Sequence, residues 1–96
     1  MKINIDRLQK ITSILLHELQ KSKGNEIELK SDFYWDISSD ELYNPYGKPE
    51  NLSLGQLTDD LEELSRLNIS DDAIVYDLKR ISNIFKALSL ENPTAF

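Results

Sequence analysis

Two carboxylates sit where a simple amphipathic helix would not place them. On a helical wheel Asp60 falls between Leu57 and Leu64, and Asp77 falls between Ile74 and Ile81. If two helices brought them together, such a pair would suit acid–base work or hold a cation. The alternative is that each lies at the edge of the apolar arc and accepts a hydrogen bond from a tyrosine, an arginine or a backbone amide. No further ligands can be assigned around them, and the sequence favours this second reading.

The other side chains capable of chemistry are few. His17 is the only histidine and falls opposite the Leu8–Leu15–Leu19 stripe, where a lone imidazole cannot make a metal site. There is no cysteine, which excludes disulfides and thiolate metal sites. Gly24, Gly47 and Gly55 are scattered and form no phosphate-cradling loop, although Gly55 permits a close backbone approach. The sequence thus predicts no catalytic residue, no metal and no cofactor, and the chain is not expected to be an enzyme.

The densest feature is aromatic. Phe33, Tyr34, Trp35, Tyr43 and Tyr46 place five of the eight aromatic residues within fourteen positions, interleaved with Asp32, Asp36, Asp40 and Glu41. Tyr and Trp dominate binding hot spots, and flanking acids steer a basic partner. Alternation assigns Phe33 and Trp35 to the core and Tyr34 to the surface; for Tyr43 and Tyr46 both readings stay open. Tyr34, Asp36, Asp40, Glu41, Tyr43 and Tyr46 are the expected partner-binding residues.

The elements that must position these residues can be read from caps and periodicity. Asn4, Ser53 and Ser70 each suit a helix start. Each is flanked by a hydrophobic staple: Ile3 with Leu8, Leu52 with Leu57, Ile69 with Ile74. Ser53 and Gln56 add a capping box, and Asp71 and Asp72 favour the positive end of a helix dipole. The first helix is predicted from about Ile5 to Ser22, ending at Lys21, Lys23 and Gly24. Ile5, Leu8, Ile11, Leu15 and Leu19 form its stripe, and Ile14 and Leu16 widen it. The second is predicted from Leu54 to about Leu67, with Leu54, Leu57, Leu61, Leu64 and Leu67 inward. Asp59, Glu62 and Glu63 would face solvent, with Glu62 paired to Arg66. The third is predicted from Asp71 to about Leu90, with Ile74, Leu78, Ile81, Phe85 and Leu88 inward. Only Asn68 and Ile69 separate it from the second, which implies an antiparallel helical hairpin. Between the first two helices the period drops to two over residues 26–37, giving one extended segment or a hairpin turning at Lys30-Ser31-Asp32. Asn44-Pro45, Gly47 and Pro49 then make a long loop.

The fold class expected is α+β, predominantly helical, in a single domain over residues 1–96: three helices, a short β-hairpin or strand, and a proline-containing loop between the first two helices. Net charge is −6 and uneven: residues 1–24 carry +3, residues 25–52 carry −5 and residues 53–96 carry −4. Most of this surface would repel a phosphate backbone, so no nucleic acid is expected. The longest apolar run, Ala73-Ile74-Val75-Tyr76, is far short of a membrane span, and no secretory signal opens the chain, so a cytoplasmic location is expected.

The segments Tyr34-Trp35-Asp36-Ile37, Leu42-Tyr43-Asn44-Pro45-Tyr46 with Pro49, and Leu52-Ser53-Leu54-Gly55-Gln56-Leu57-Thr58-Asp59-Asp60 resemble the signature of a family of small uncharacterised bacterial proteins. The resemblance spans roughly residues 26 to 90 and does not extend to the first helix. It implies a stand-alone bacterial cytosolic protein and carries over no catalytic residue. The functional expectation is a small acidic protein-binding module, of the immunity or antitoxin kind, masking a basic partner surface. The alternative is a self-associating structural or accessory domain, possible as a homodimer through the wide arc of the first helix; a small ligand-binding protein or enzyme built on Asp60 and Asp77 ranks below both.

Overall fold

A computed structural model describes residues 1–66 and 71–91, apart from the side chains of residues 39–40, 71–73 and 91. The fold is α+β and predominantly helical. Its elements are α1 (Ile5–Lys23), β1 (Phe33–Ile37), the single-turn α2 (Ser39–Leu42), β2 (Leu52–Gln56), α3 (Leu57–Ser65) and α4 (Asp71–Glu91).

Helix α1 begins and ends where its local chemistry says. Asn4 lies in the extended region and its Oδ1 accepts from the Arg7 N–H at 2.8 Å, supplying one of the orphan donors with a partner. At the other end Gly24 turns at φ 86° and donates its N–H to the Gln20 carbonyl at 2.8 Å. Helix α4 likewise matches its predicted span. The Ser70 cap, its staple partner Ile69 and the link through Asn68 lie outside the described residues.

The middle of the chain departs from expectation. β1 pairs antiparallel not with residues before it but with Leu52–Gln56, in the register Phe33↔Gln56, Tyr34↔Gly55, Trp35↔Leu54, Asp36↔Ser53 and Ile37↔Leu52. The segment assigned to the first turn of the second helix is therefore a strand. Ser53 caps nothing there, and the Ser53–Gln56 capping box does not form. The reason is a competing start signal from elsewhere in the chain. The Asp32 carboxylate accepts from the Thr58 N–H and Thr58 hydroxyl, both at 2.8 Å, and from Gln56 Nε2 at 2.7 Å. The Asp32 carbonyl accepts from the Leu57 N–H at 2.7 Å. With its first donors satisfied at Leu57 and Thr58, α3 starts there, and Leu52–Gln56 is released to pair with β1.

The principal packing relations are β1 with β2 and α3 with α4. Leu57, at the strand–helix junction, is the one buried hydrophobic residue among those described, at 5 % exposure. In α4 the half-buried positions run Asp77, Arg80, Ile81, Asn83, Ile84, Ala87 and Leu88. Ile74, Leu78 and Phe85 of the predicted stripe are exposed, as is Leu61 of α3. The inward face is rotated from the apolar stripe because the side facing α3 and the sheet is held by polar contacts. Helix α1 has no buried residue. No helix among the described residues is long and apolar enough to cross a membrane.

Candidate functional site

The sheet presents opposite faces from those alternation suggested. Phe33 and Trp35 do not fill the core: they are 56 % and 68 % exposed, and Leu54, which faces Trp35 across the sheet, is exposed with them. Tyr34 and Asp36 point the other way, toward α3 and α4, and both are half-buried. Alternation distinguishes two faces but does not say which one turns inward. That is decided by what waits on the helices.

For Tyr34 the waiting groups are Asp60 of α3 and Asn83 of α4. The Tyr34 hydroxyl donates to Asp60 Oδ2 at 2.6 Å and accepts from Asn83 Nδ2 at 2.8 Å, and Asn83 reaches the same carboxylate oxygen at 3.4 Å. One phenol thereby ties β1 to both helices. Burial, then the hydrogen bond to Asp60 and the negative charges of Asp60 and Asp36, push the Tyr34 hydroxyl well above its ordinary range, against a smaller opposing effect of Arg80. A phenol held so firmly protonated serves as a donor and not as a base or nucleophile. Tyr34 is therefore not a free surface residue.

Asp60 and Asp77 are held by separate partners. Asp60 accepts from Tyr34, while Asp77 Oδ1 pairs with Arg80 Nη1 at 2.9 Å, and that guanidinium lies 5.9 Å from the Tyr76 ring centroid. The hydrogen-bonded reading of both carboxylates is the observed one. Among the described residues no group of three or more His, Cys, Asp or Glu is placed to hold a metal ion, and His17 is exposed. The helix-surface ion pair of α3 joins Arg66 to Glu63 and not to Glu62.

The remaining expected contact residues divide. Asp36 is engaged within the fold, accepting from Lys79 Nζ of α4 at 2.9 Å. Glu41 is engaged too. Its carboxylate accepts from the backbone N–H of Glu50 and, at 3.0 Å, from that of Asn51, so it clamps the base of the loop between Ile37 and Leu52. The Glu50 amide is the main cause holding the Glu41 carboxyl below its usual range. The side chain of Asp40 lies outside the description. Tyr43 and Tyr46 stand 87 % and 98 % exposed on this clamped loop, where Asn44 Oδ1 also accepts from the Tyr46 N–H at 3.1 Å. The connection between the two strands thus presents two exposed tyrosines.

Asp32, Asn83 and Lys79 were not legible as site-forming residues, because each acts on a segment more than twenty positions away. Gly55 did carry a signal. Comparison with known family models, curated proteins and solved structures gave no significant match.

Proposed function

We propose that this chain is a small acidic protein-binding module of the immunity or antitoxin kind, without chemistry of its own. Its partner is another protein with a basic surface, held against the outer face of the sheet and the adjoining loop. The observation that carries this reading is the run of exposed aromatics on a braced scaffold: Phe33, Trp35, Tyr43 and Tyr46 are all more than half exposed, on a strand pair and a loop closed by Glu41. Rigid, exposed Trp and Tyr contribute large contact area with little ordering penalty on binding. Charge supports the basic partner, since residues 25–52, which include this surface, carry −5. With Asp36 and Glu41 occupied inside the fold, the aromatics supply the anchoring and the acids supply the field.

The test is retention of a partner from the native host's lysate by the tagged chain, repeated with Trp35→Ala, Tyr43→Ala and Tyr46→Ala and at two salt concentrations. The expected result is one stoichiometric protein, lost in these variants and weakened by salt while their melting temperatures stay near wild type. Equal retention by all variants, or binding indifferent to salt, removes the reading.

A further inference from the structure

Helix α1 is amphipathic yet has no fully buried residue. Ile5, Leu8, Ile11, Ile14, Leu15 and Leu16 remain between 42 % and 64 % exposed. The helix approaches the rest of the chain along an open groove of about 310 Å³, lined by Leu15, Leu16 and Leu19 on one side and Phe85 and Leu88 of α4 on the other. The whole chain exposes 8731 Å². A folded monomer of 11.1 kDa exposes roughly 5,700 Å² by the usual scaling of surface with mass. Its radius of gyration, 15.2 Å, exceeds the roughly 12.5 Å expected for a compact domain of this length. About 3,000 Å² therefore stands open that a self-sufficient domain would cover.

We propose that the occupant of the α1–α4 groove is a second copy of this chain, in a two-fold dimer whose core is α1 and α4 of both copies. Two observations select a second copy over another partner. The uncovered area exceeds the roughly 1,000–2,500 Å² that each chain hides in a large obligate homodimer, whose interface buries about 2,000–5,000 Å² in total, so it accommodates such an interface and leaves the aromatic surface open besides. Charge is also self-complementary. The segment holding α1 carries +3 while residues 25–96 carry −9, the sum of −5 and −4. Within that body α4 carries four acids and three bases, a net charge of −1, so an α1 laid on α4 of another copy is weakly attracted, and two-fold symmetry uses that attraction twice. The basic partner proposed above would be repelled from α1, so the two surfaces do not compete. The dimer leaves Trp35, Tyr43 and Tyr46 free.

Sedimentation equilibrium of the full chain tests this. The expected mass is about twice 11.1 kDa at micromolar concentration, and each tenfold dilution lowers the wild-type melting temperature by roughly 3–5 °C, as linkage requires for a folded dimer. Leu16→Lys should shift the equilibrium toward monomer at least tenfold or abolish the folded state, whereas Tyr46→Lys should remain dimeric. The concentration dependence of the wild type keeps the test decisive if Leu16→Lys does not fold. A wild type that sediments at 11.1 kDa throughout and melts independently of concentration overturns the proposal. So does a dimer broken by Tyr46→Lys and untouched by Leu16→Lys, or a lone monomer whose groove is filled only by a different protein.

Discussion

Tyr34 and Gly55 face each other across the two-stranded sheet, and the tyrosine ring occupies the space that a side chain at position 55 would need. A Cβ built on Gly55 would stand 2.6 Å from the Tyr34 hydroxyl oxygen and collide with the ring itself. Glycine here is required by close approach, since its φ is unremarkable among the described backbone. The gap lets the ring lie along the sheet and carry its hydroxyl to Asp60 and Asn83.

Gly55→Ala should accordingly destabilise the fold by about 1–3 kcal/mol, the usual range for overpacking a fitted site. The measurement is chemical denaturation of Gly55→Ala alone and in a Tyr34→Ala background. Most of the penalty should vanish in the second case, because the ring that the methyl strikes is gone. Equal penalties in both backgrounds would locate the effect in the backbone.

Tyr34→Phe keeps the ring and removes the donor. Asp60 then loses its 2.6 Å hydrogen bond and retains only the long contact from Asn83. A loss of about 1–2 kcal/mol is expected, the lower part of the range for hydrogen bonds to charged groups because the cluster is only part-buried. Asn83→Ala should cost less, since it leaves the Tyr34–Asp60 bond in place.

Acid should loosen the strand–helix junction. Hydrogen bonds from Gln56 and Thr58 hold the Asp32 carboxyl below its ordinary 3.8, and the Glu50 amide holds Glu41 below 4.5. A folded-state value below the unfolded one means the stabilisation is complete above the unfolded value and is lost as pH falls through the folded one. Melting temperature should be flat above about pH 5 with respect to these groups and fall below it. Asp32→Asn should start lower at neutral pH and show a shallower acid decline; circular dichroism of the two chains from pH 7 to pH 2 checks both.

The Lys79–Asp36 pair joins α4 to β1 at 2.9 Å, but the lysine side chain is 55 % exposed. Lys79→Met should therefore cost less than about 1 kcal/mol and less still in high salt. A larger, salt-independent loss would mean that the pair sets how the sheet seats on α4.

Local signals determined a good part of this architecture. The start of α1 at Asn4, its end at Gly24, the span of α4 and the extended character of residues 33–37 follow from caps and periodicity within a few positions, so the sequence alone revealed them. The loop over residues 43–51 was also legible, because asparagine, proline and glycine act on their own backbone, whereas the single-turn α2 before it was not.

Tertiary structure decided the rest. Ser53 and Gln56 carry a sound helix-start pattern, yet Asp32, twenty-four positions before Gln56, caps α3 from across the chain and leaves Leu52–Gln56 to become a strand. Alternation separated Phe33 and Trp35 from Tyr34 and Asp36, but Asp60, Asn83 and Lys79 determined which pair turned inward. The physical reason is common to both. A sequence pattern records which side chains share a face, whereas the direction of that face depends on hydrogen-bond partners that only the folded chain brings within three ångströms.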